Sequence, residues 1–294
     1  MSAAYWPGTG NMVRRLLALA SLLLAVVSAS TTRAEEAPPL EIGIAPYYST
    51  QLLFQQYEPL RAYLSEALRR PIYLVTARDF RTFALRTRAH DYGFIVTVPH
   101  FGRLAQVDDG YRPLLQMKAQ LQGVFLVAKT SPAQQLADLR GRMIASPDRL
   151  AIITMMGEQA LAKAGVDPDY DVRLTPKPTH NAAVLSVLNG ESDAALVWHS
   201  TLASMEPEAA ARLREIGATT ELPTFVQVLA APELPDADVE VVRAAIAAFS
   251  DTPQGQAFLG RTAYGRFVPL GPDDSAFLDE YLPKVRRALE AEPK

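Results

Sequence analysis

Four histidines are the first candidates for chemistry in this chain: His90, His100, His180 and His199. They share no metal-ligand spacing, and none forms a His-x-x-x-His pair, so the imidazoles read as hydrogen-bonding groups and no metal is expected. His180 opens a helical pattern and is followed by Asn181; helix capping through Thr179 or Asn181 is the other reading of that position. Tyr47 and Tyr48 follow the first apolar run, Thr97 and His100 the third, and Trp198 and His199 close a later one. Phenol, imidazole and indole groups at strand ends suit a small ligand, with donors for a polar head and aromatic faces to close over it. Arg78 and Asp79 follow the second run, where a solvated pair is the simpler reading. Catalytic signatures are missing: there is no Gly-x-Ser-x-Gly elbow, no Walker loop and no complete Gly-x-Gly-x-x-Gly. The chain has no cysteine, which removes thiol nucleophiles, thiolate metal sites and disulfides. These residues describe a binder that needs no cofactor, not an enzyme.

The elements that must position them alternate between short apolar runs and amphipathic helices, the pattern of an α/β protein with largely parallel sheets. Residues 41–45 predict a first strand, stopped by Pro46. A helix follows over 52–68, with Leu53, Tyr57, Leu60, Leu64 and Leu68 at three- and four-residue intervals. Strands over 72–76 and 92–96 complete a βαβαβ unit, and a helix starts near Pro99 and His100. A second unit reads as strands over 142–145, 172–175 and 194–198. Its helices fall over 154–164, ended by Gly165, and 181–188, ended by Asn189-Gly190. Residues 122–128 and 224–230 read as strands that leave the first unit and return to it. Helices over 239–249, 252–259 and 274–289 close the chain. The expected lobes are 38–129 plus 224–294, and 130–223. In open α/β sheets ligands bind beyond the carboxyl ends of the strands, so each lobe offers that edge to the cleft between them.

The N-terminus sets the compartment. Arg14-Arg15, an apolar run from Leu16 to Val27 and small residues up to Ala34 have the layout of a secretory signal. The run is shorter than the ~20 residues of a spanning helix. Cleavage is expected after Ala34, with Ala29 as the other site. Removing residues 1–34 takes away three arginines and no acids, leaving 26 basic against 32 acidic side chains, a formal charge of −6. No basic stripe points to nucleic acid. The expected product is periplasmic and soluble.

The order of short motifs resembles one family. Tyr57-x-Pro59-Leu60-x-x-Tyr63-Leu64 looks like the first helix of the phosphonate-, phosphate- and phosphite-binding components of ABC transporters. The likeness continues through Asp91-Tyr92-Gly93-Phe94, Asp138-Leu139-x-Gly141 and Thr179-His180-Asn181-Ala182, to Asn189-Gly190-x-x-Asp193 and Thr252-Pro253-x-Gly255. It implies a two-lobed type 2 periplasmic binding fold that closes on a small, phosphonate-like anion. The implied partner is an ABC permease; a membrane histidine kinase reading the same ligand is the alternative. It also implies ligand-facing roles for Tyr47, at the family's tyrosine position, and for His180, at its Ser/Thr-His-x-Ala position. In the family a Ser-Thr-Ser-like run opens a helix after the first strand of lobe two. Here that loop runs Ser146-Pro147-Asp148-Arg149-Leu150-Ala151-Ile152-Ile153-Thr154, so only Thr154 keeps a hydroxyl near the expected place. Isoleucines for serines predict a weak cradle for a doubly charged head.

Overall fold

A computed structural model describes residues 39–224, 226–262 and 265–290. The expected signal segment and both cleavage sites lie outside the described residues. The chain opens with β1 (Leu40–Ile44), α1 (Thr50–Ala67), β2 (Ile72–Thr76), α2 (Phe80–Arg88), β3 (Phe94–Thr97), α3 (Pro99–Asp108) and β4 (Arg112–Met117). The middle third holds β5 (Gly123–Ala128), β6 (Met143–Ser146), α4 (Ile152–Lys163), β7 (Arg173–Pro176), α5 (His180–Leu188), β8 (Ala194–Trp198), α6 (Pro207–Ala210) and β9 (Leu213–Ala218). The chain then returns through β10 (Val226–Ala230), α7 (Asp236–Phe249), α8 (Pro253–Thr262), β11 (Phe267–Pro269) and α9 (Leu282–Glu290).

Two mixed sheets result, ordered β11-β4-β10-β3-β1-β2 and β7-β6-β8-β5-β9. In each, three parallel strands form the ligand-side architecture: β1 lies between β2 and β3, and β6 between β7 and β8. From β1 the chain goes on to β2, and from the neighbouring β3 to β4 on the other side. Likewise β6 and β8 lead to β7 and β9 in opposite directions, which opens a crevice between the carboxyl ends of each pair. The chain passes between sheets twice, over 118–122 and between β9 and β10, where residues 219–224 are described. The two passages run side by side, joined by an antiparallel bridge in which Leu121 and Leu222 exchange both N–H···O bonds at 2.9 Å. This is the two-lobed α/β arrangement expected from the sequence, with two crossing segments.

Sequence explains most of the packing. On α1, Leu53, Tyr57, Leu60 and Leu64 are the buried stripe, each fully buried aliphatic side chain worth about 1.5–3 kcal/mol. Gly165 and Gly190 have φ of +77° and +75°, the left-handed turn that ends α4 and α5 without a Cβ clash.

Three features differ from expectation. Residues 123–128 pair only with β8 and β9, so the sheet changes over 118–122 and not at 129/130. Strands β4, β9 and β11 lie outside the sequence pattern. Pro113 in β4 sits opposite Leu229 at a register shift, the kind of position where a ladder tolerates proline. The expected helix over 274–289 is a 3₁₀ turn, Ala276–Tyr281, followed by α9. Pro283 has no N–H to continue a helix through that point.

Candidate functional site

The carboxyl ends of both parallel triplets face one cavity of about 370 Å³. From the first sheet it is lined by Pro46, Tyr47 and Tyr48 after β1, by Arg78, Asp79 and Phe80 after β2, and by Val98 after β3. From the second come Pro147, Asp148, Ala151, Ile152 and Ile153 after β6, Pro176 to His180 around the β7 end, and Trp198 at the end of β8. Leu121, from a crossing segment, completes the wall.

Three helices begin in this wall: α2 at Phe80, α4 at Ile152 and α5 at His180. Each presents the positive end of its dipole and first-turn N–H groups. On α2 and α5 the cap residue satisfies one donor: Asp79 Oδ1 accepts from Thr82 N–H at 2.7 Å, and Thr179 Oγ1 from Ala182 N–H at 3.0 Å. The capping reading of Thr179 thus holds alongside any role of His180. On α4 the cap is Ala151, which has no side chain to accept, and among the described residues no acceptor is found for the N–H groups of Ile152 and Ile153.

His180 carries the most informative geometry. Its Nδ1 accepts the backbone N–H of Trp198 at 3.3 Å, which places the ring proton on Nε2. Burial pushes its pKa down to about 4, so the ring is neutral at pH 7 and Nε2–H is a donor without charge. The indole of Trp198 is held in turn, its Nε1–H donating to Gln120 O at 3.3 Å. Across the cavity, the Tyr47 hydroxyl lies 2.7 Å from that of Tyr57, whose ring is fully buried under α1. The rings of Tyr47 and Tyr48 are tilted together with centroids 4.9 Å apart.

The charged side chains of the wall are already engaged. Arg78 pairs with Asp79 at 3.1 Å, and Lys177 with Glu191 at 3.3 Å. Asp148 Oδ1 accepts the N–H of Leu150 at 2.7 Å. Two cations thus face two lining carboxylates and a third just behind them.

Of the sequence candidates, the fold brings Tyr47, Tyr48, His180 and Trp198 together around the cavity, with Arg78 and Asp79. Thr97, His100, Thr154 and Asn181 do not line it. Thr97 is fully buried in β3, and its successor Val98 reaches the cavity instead. Thr154 is one turn too deep in α4, buried with its hydroxyl donating to Pro147 O at 3.2 Å. Asn181 is exposed on α5 outside the wall. His100 is fully buried and donates from Nε2 to Leu150 O at 2.8 Å, tying α3 to the loop before α4. The missed lining residues are mostly apolar: Phe80, Val98, Leu121, Ile152, Ile153 and four prolines. Apolar residues at strand ends look like core in a sequence, and only the cleft makes them lining.

Among the described residues, no group of three or more His, Asp or Glu side chains is placed to hold a metal. None of their helices is long and apolar enough to cross a membrane.

Two α/β sheets whose strand ends converge on one cavity, joined by two crossing segments, define a solute-binding protein of the periplasmic type. Residues 42–275 match the family described as the periplasmic substrate-binding protein of phosphonate ABC transporters, and the chain belongs to that family. Among solved structures, it is similar to the binding protein component of an ABC phosphonate transporter from Pseudomonas aeruginosa. The TM-score is 0.73 at 17% identity, over 87% of this chain and 90% of that one. PhnD1 from Prochlorococcus marinus, in complex with methylphosphonate, gives 0.70 at 15% identity, over 86% and 98%. The aliphatic sulphonate binding protein SsuA from Escherichia coli gives 0.57 at 17%, over 87% and 94%. At these identities the likeness speaks for the fold. Family membership implies a small-molecule ligand, a permease partner and a periplasmic location, and the family's members are transport proteins, not enzymes.

Proposed function

We propose that this chain captures a small organic anion between its lobes in the periplasm and delivers it to an ABC permease. The observation that carries this reading is the cavity itself, walled by the strand ends of both sheets and by the N-termini of α2, α4 and α5. Three helix N-termini aimed at one space favour negative charge, each contributing roughly 0.3–1 kcal/mol at a solvated site and up to about 2 when partly buried. The head of the ligand sits against the N–H groups of Ile152 and Ile153 and the Nε2–H of His180, and Tyr47, Tyr48 and Trp198 close over its body. The segments over 118–122 and 219–224 act as the hinge. Closure swings the lobe built on β1 to β4, β10 and β11 against the one built on β5 to β9. The N-terminal segment is removed on export.

A thermal-shift screen of the exported protein tests capture. The panel is methylphosphonate, phosphate, sulfonates, carboxylates and neutral amino acids. An anion present at about 100 times its Kd adds about 2.7 kcal/mol, several degrees in Tm. Stabilisation by anions alone supports capture. Stabilisation by neutral solutes alone contradicts it.

A further inference from the structure

The same cavity carries information about the kind of anion, and this inference rests on the capture reading above. Four places where the wall would offer backbone donors are occupied by proline: Pro46, Pro147, Pro176 and Pro178. Proline has no N–H, so these corners can only fill space. The helix start that might supply hydroxyls supplies Ile152 and Ile153, and the one nearby threonine is spent on Pro147 O. The charges balance instead of inviting a dianion. Arg78 and Lys177 are both ion-paired, and Asp79 and Asp148 put two carboxylates on the wall. The other side-chain donors of the wall, the His180 imidazole and the hydroxyls of Tyr47, Tyr48 and Thr179, are neutral.

Phosphate-type heads carry about −1.5 to −2 charges at neutral pH and ask for several charge-assisted hydrogen bonds. This wall offers helix dipole ends and neutral imidazole and hydroxyl donors, which match a single negative charge. The remaining surface is apolar or aromatic: Phe80, Val98, Leu121, Ile152, Ile153 and Trp198. A cavity of about 370 Å³ lined this way is far larger than a bare tetrahedral head needs, and lies within the range of pockets that hold organic molecules.

We infer that the ligand is a singly charged organic anion with a bulky apolar body, a sulfonate- or carboxylate-type head on an aryl or alkyl group. The head meets the α4 and α5 N-termini. The body lies between Phe80 and Trp198, where burial of its apolar surface supplies most of the affinity.

Isothermal titration of the exported protein at pH 7.5 with benzenesulfonate, phenylphosphonate, methylphosphonate and inorganic phosphate separates these contributions. The inference predicts that benzenesulfonate binds at least tenfold tighter than methylphosphonate and at least as tightly as phenylphosphonate. It also predicts that the variants Phe80→Ala and Ile153→Ser each shrink the benzenesulfonate-to-methylphosphonate ratio severalfold. Should either variant fail to fold, the wild-type ranking decides alone. Methylphosphonate or phosphate binding as tightly as benzenesulfonate overturns the inference and leaves anion capture standing. If none of the four binds, while neutral solutes stabilise the fold, the inference falls together with the capture reading.

Discussion

Replacing His100 by glutamine tests whether the structure assigns that residue to holding the lobes together instead of to the ligand. The ring is fully buried, and its one hydrogen bond runs from Nε2 to Leu150 O, from α3 of one lobe to the loop before α4 of the other. Nδ1 has no partner. Burial pushes the pKa from 6.5 down to about 4, and the hydrogen bond to Leu150 offsets only part of that. A base with a depressed folded pKa binds its proton more readily when unfolded, so stability is complete above pH 6.5 and falls as pH drops toward 4. With those two values the loss at pH 4.5 is on the order of 2–3 kcal/mol for this group alone. His100→Gln keeps a donor for Leu150 O and removes the titration. Urea unfolding of both proteins at pH 7.5 and pH 4.5 measures the effect, because carboxylates and other histidines contribute equally to both. Wild type should lose about 2–3 kcal/mol more than the variant between those pH values, on the order of 1 M in urea midpoint. Equal losses, within about 0.5 kcal/mol, would refute the assignment of a buried, neutral His100.

Three further outcomes follow from the structure. His180→Ala removes a donor next to an anion, so affinity for a bound anion should fall by about 1.5–3 kcal/mol, or 10- to 150-fold, by calorimetry. Because the His180 pKa is pushed down to about 4, affinity in wild type should stay flat between pH 6 and pH 8; a steep rise toward pH 6 would mean a cationic ring. Gly165→Ala meets no atom within 4 Å but must hold φ near +77°, so its cost is backbone strain alone, about 1–2 kcal/mol by chemical unfolding.

Much of this was legible in the sequence because it is periodic. The stripe Leu53, Tyr57, Leu60, Leu64 fixed α1, and the run Ala194–Trp198 fixed β8 to the residue. Ends marked by Gly165 and Gly190 were legible because only glycine takes those turns cheaply. Strand β4 was hidden by Pro113 and its flanking polar residues, and β9 by an irregular register against β5 that breaks the period-two pattern on an edge. The site was half legible. Aromatic and imidazole groups at strand ends stand out, so Tyr47, Tyr48, His180 and Trp198 could be named. Thr97, His100 and Thr154 share the same loops and residue types, and what moved them away from the cavity is burial by one residue or one turn, which only packing decides. Ile152 and Ile153 could be placed at the site only through the family resemblance, and Pro46, Pro176 and Pro178 give no sign of the wall in sequence.

The chain's two tryptophans are Trp6 and Trp198. Trp6 lies in the segment expected to be removed on export, which leaves Trp198 on the cavity wall as an internal reporter. Titrating benzenesulfonate into the exported protein while following tryptophan emission is the most direct test of the account. The account predicts a saturable, one-to-one change in emission intensity or wavelength, with the same Kd as calorimetry. Binding by calorimetry with no change at Trp198 would place the ligand elsewhere and contradict it.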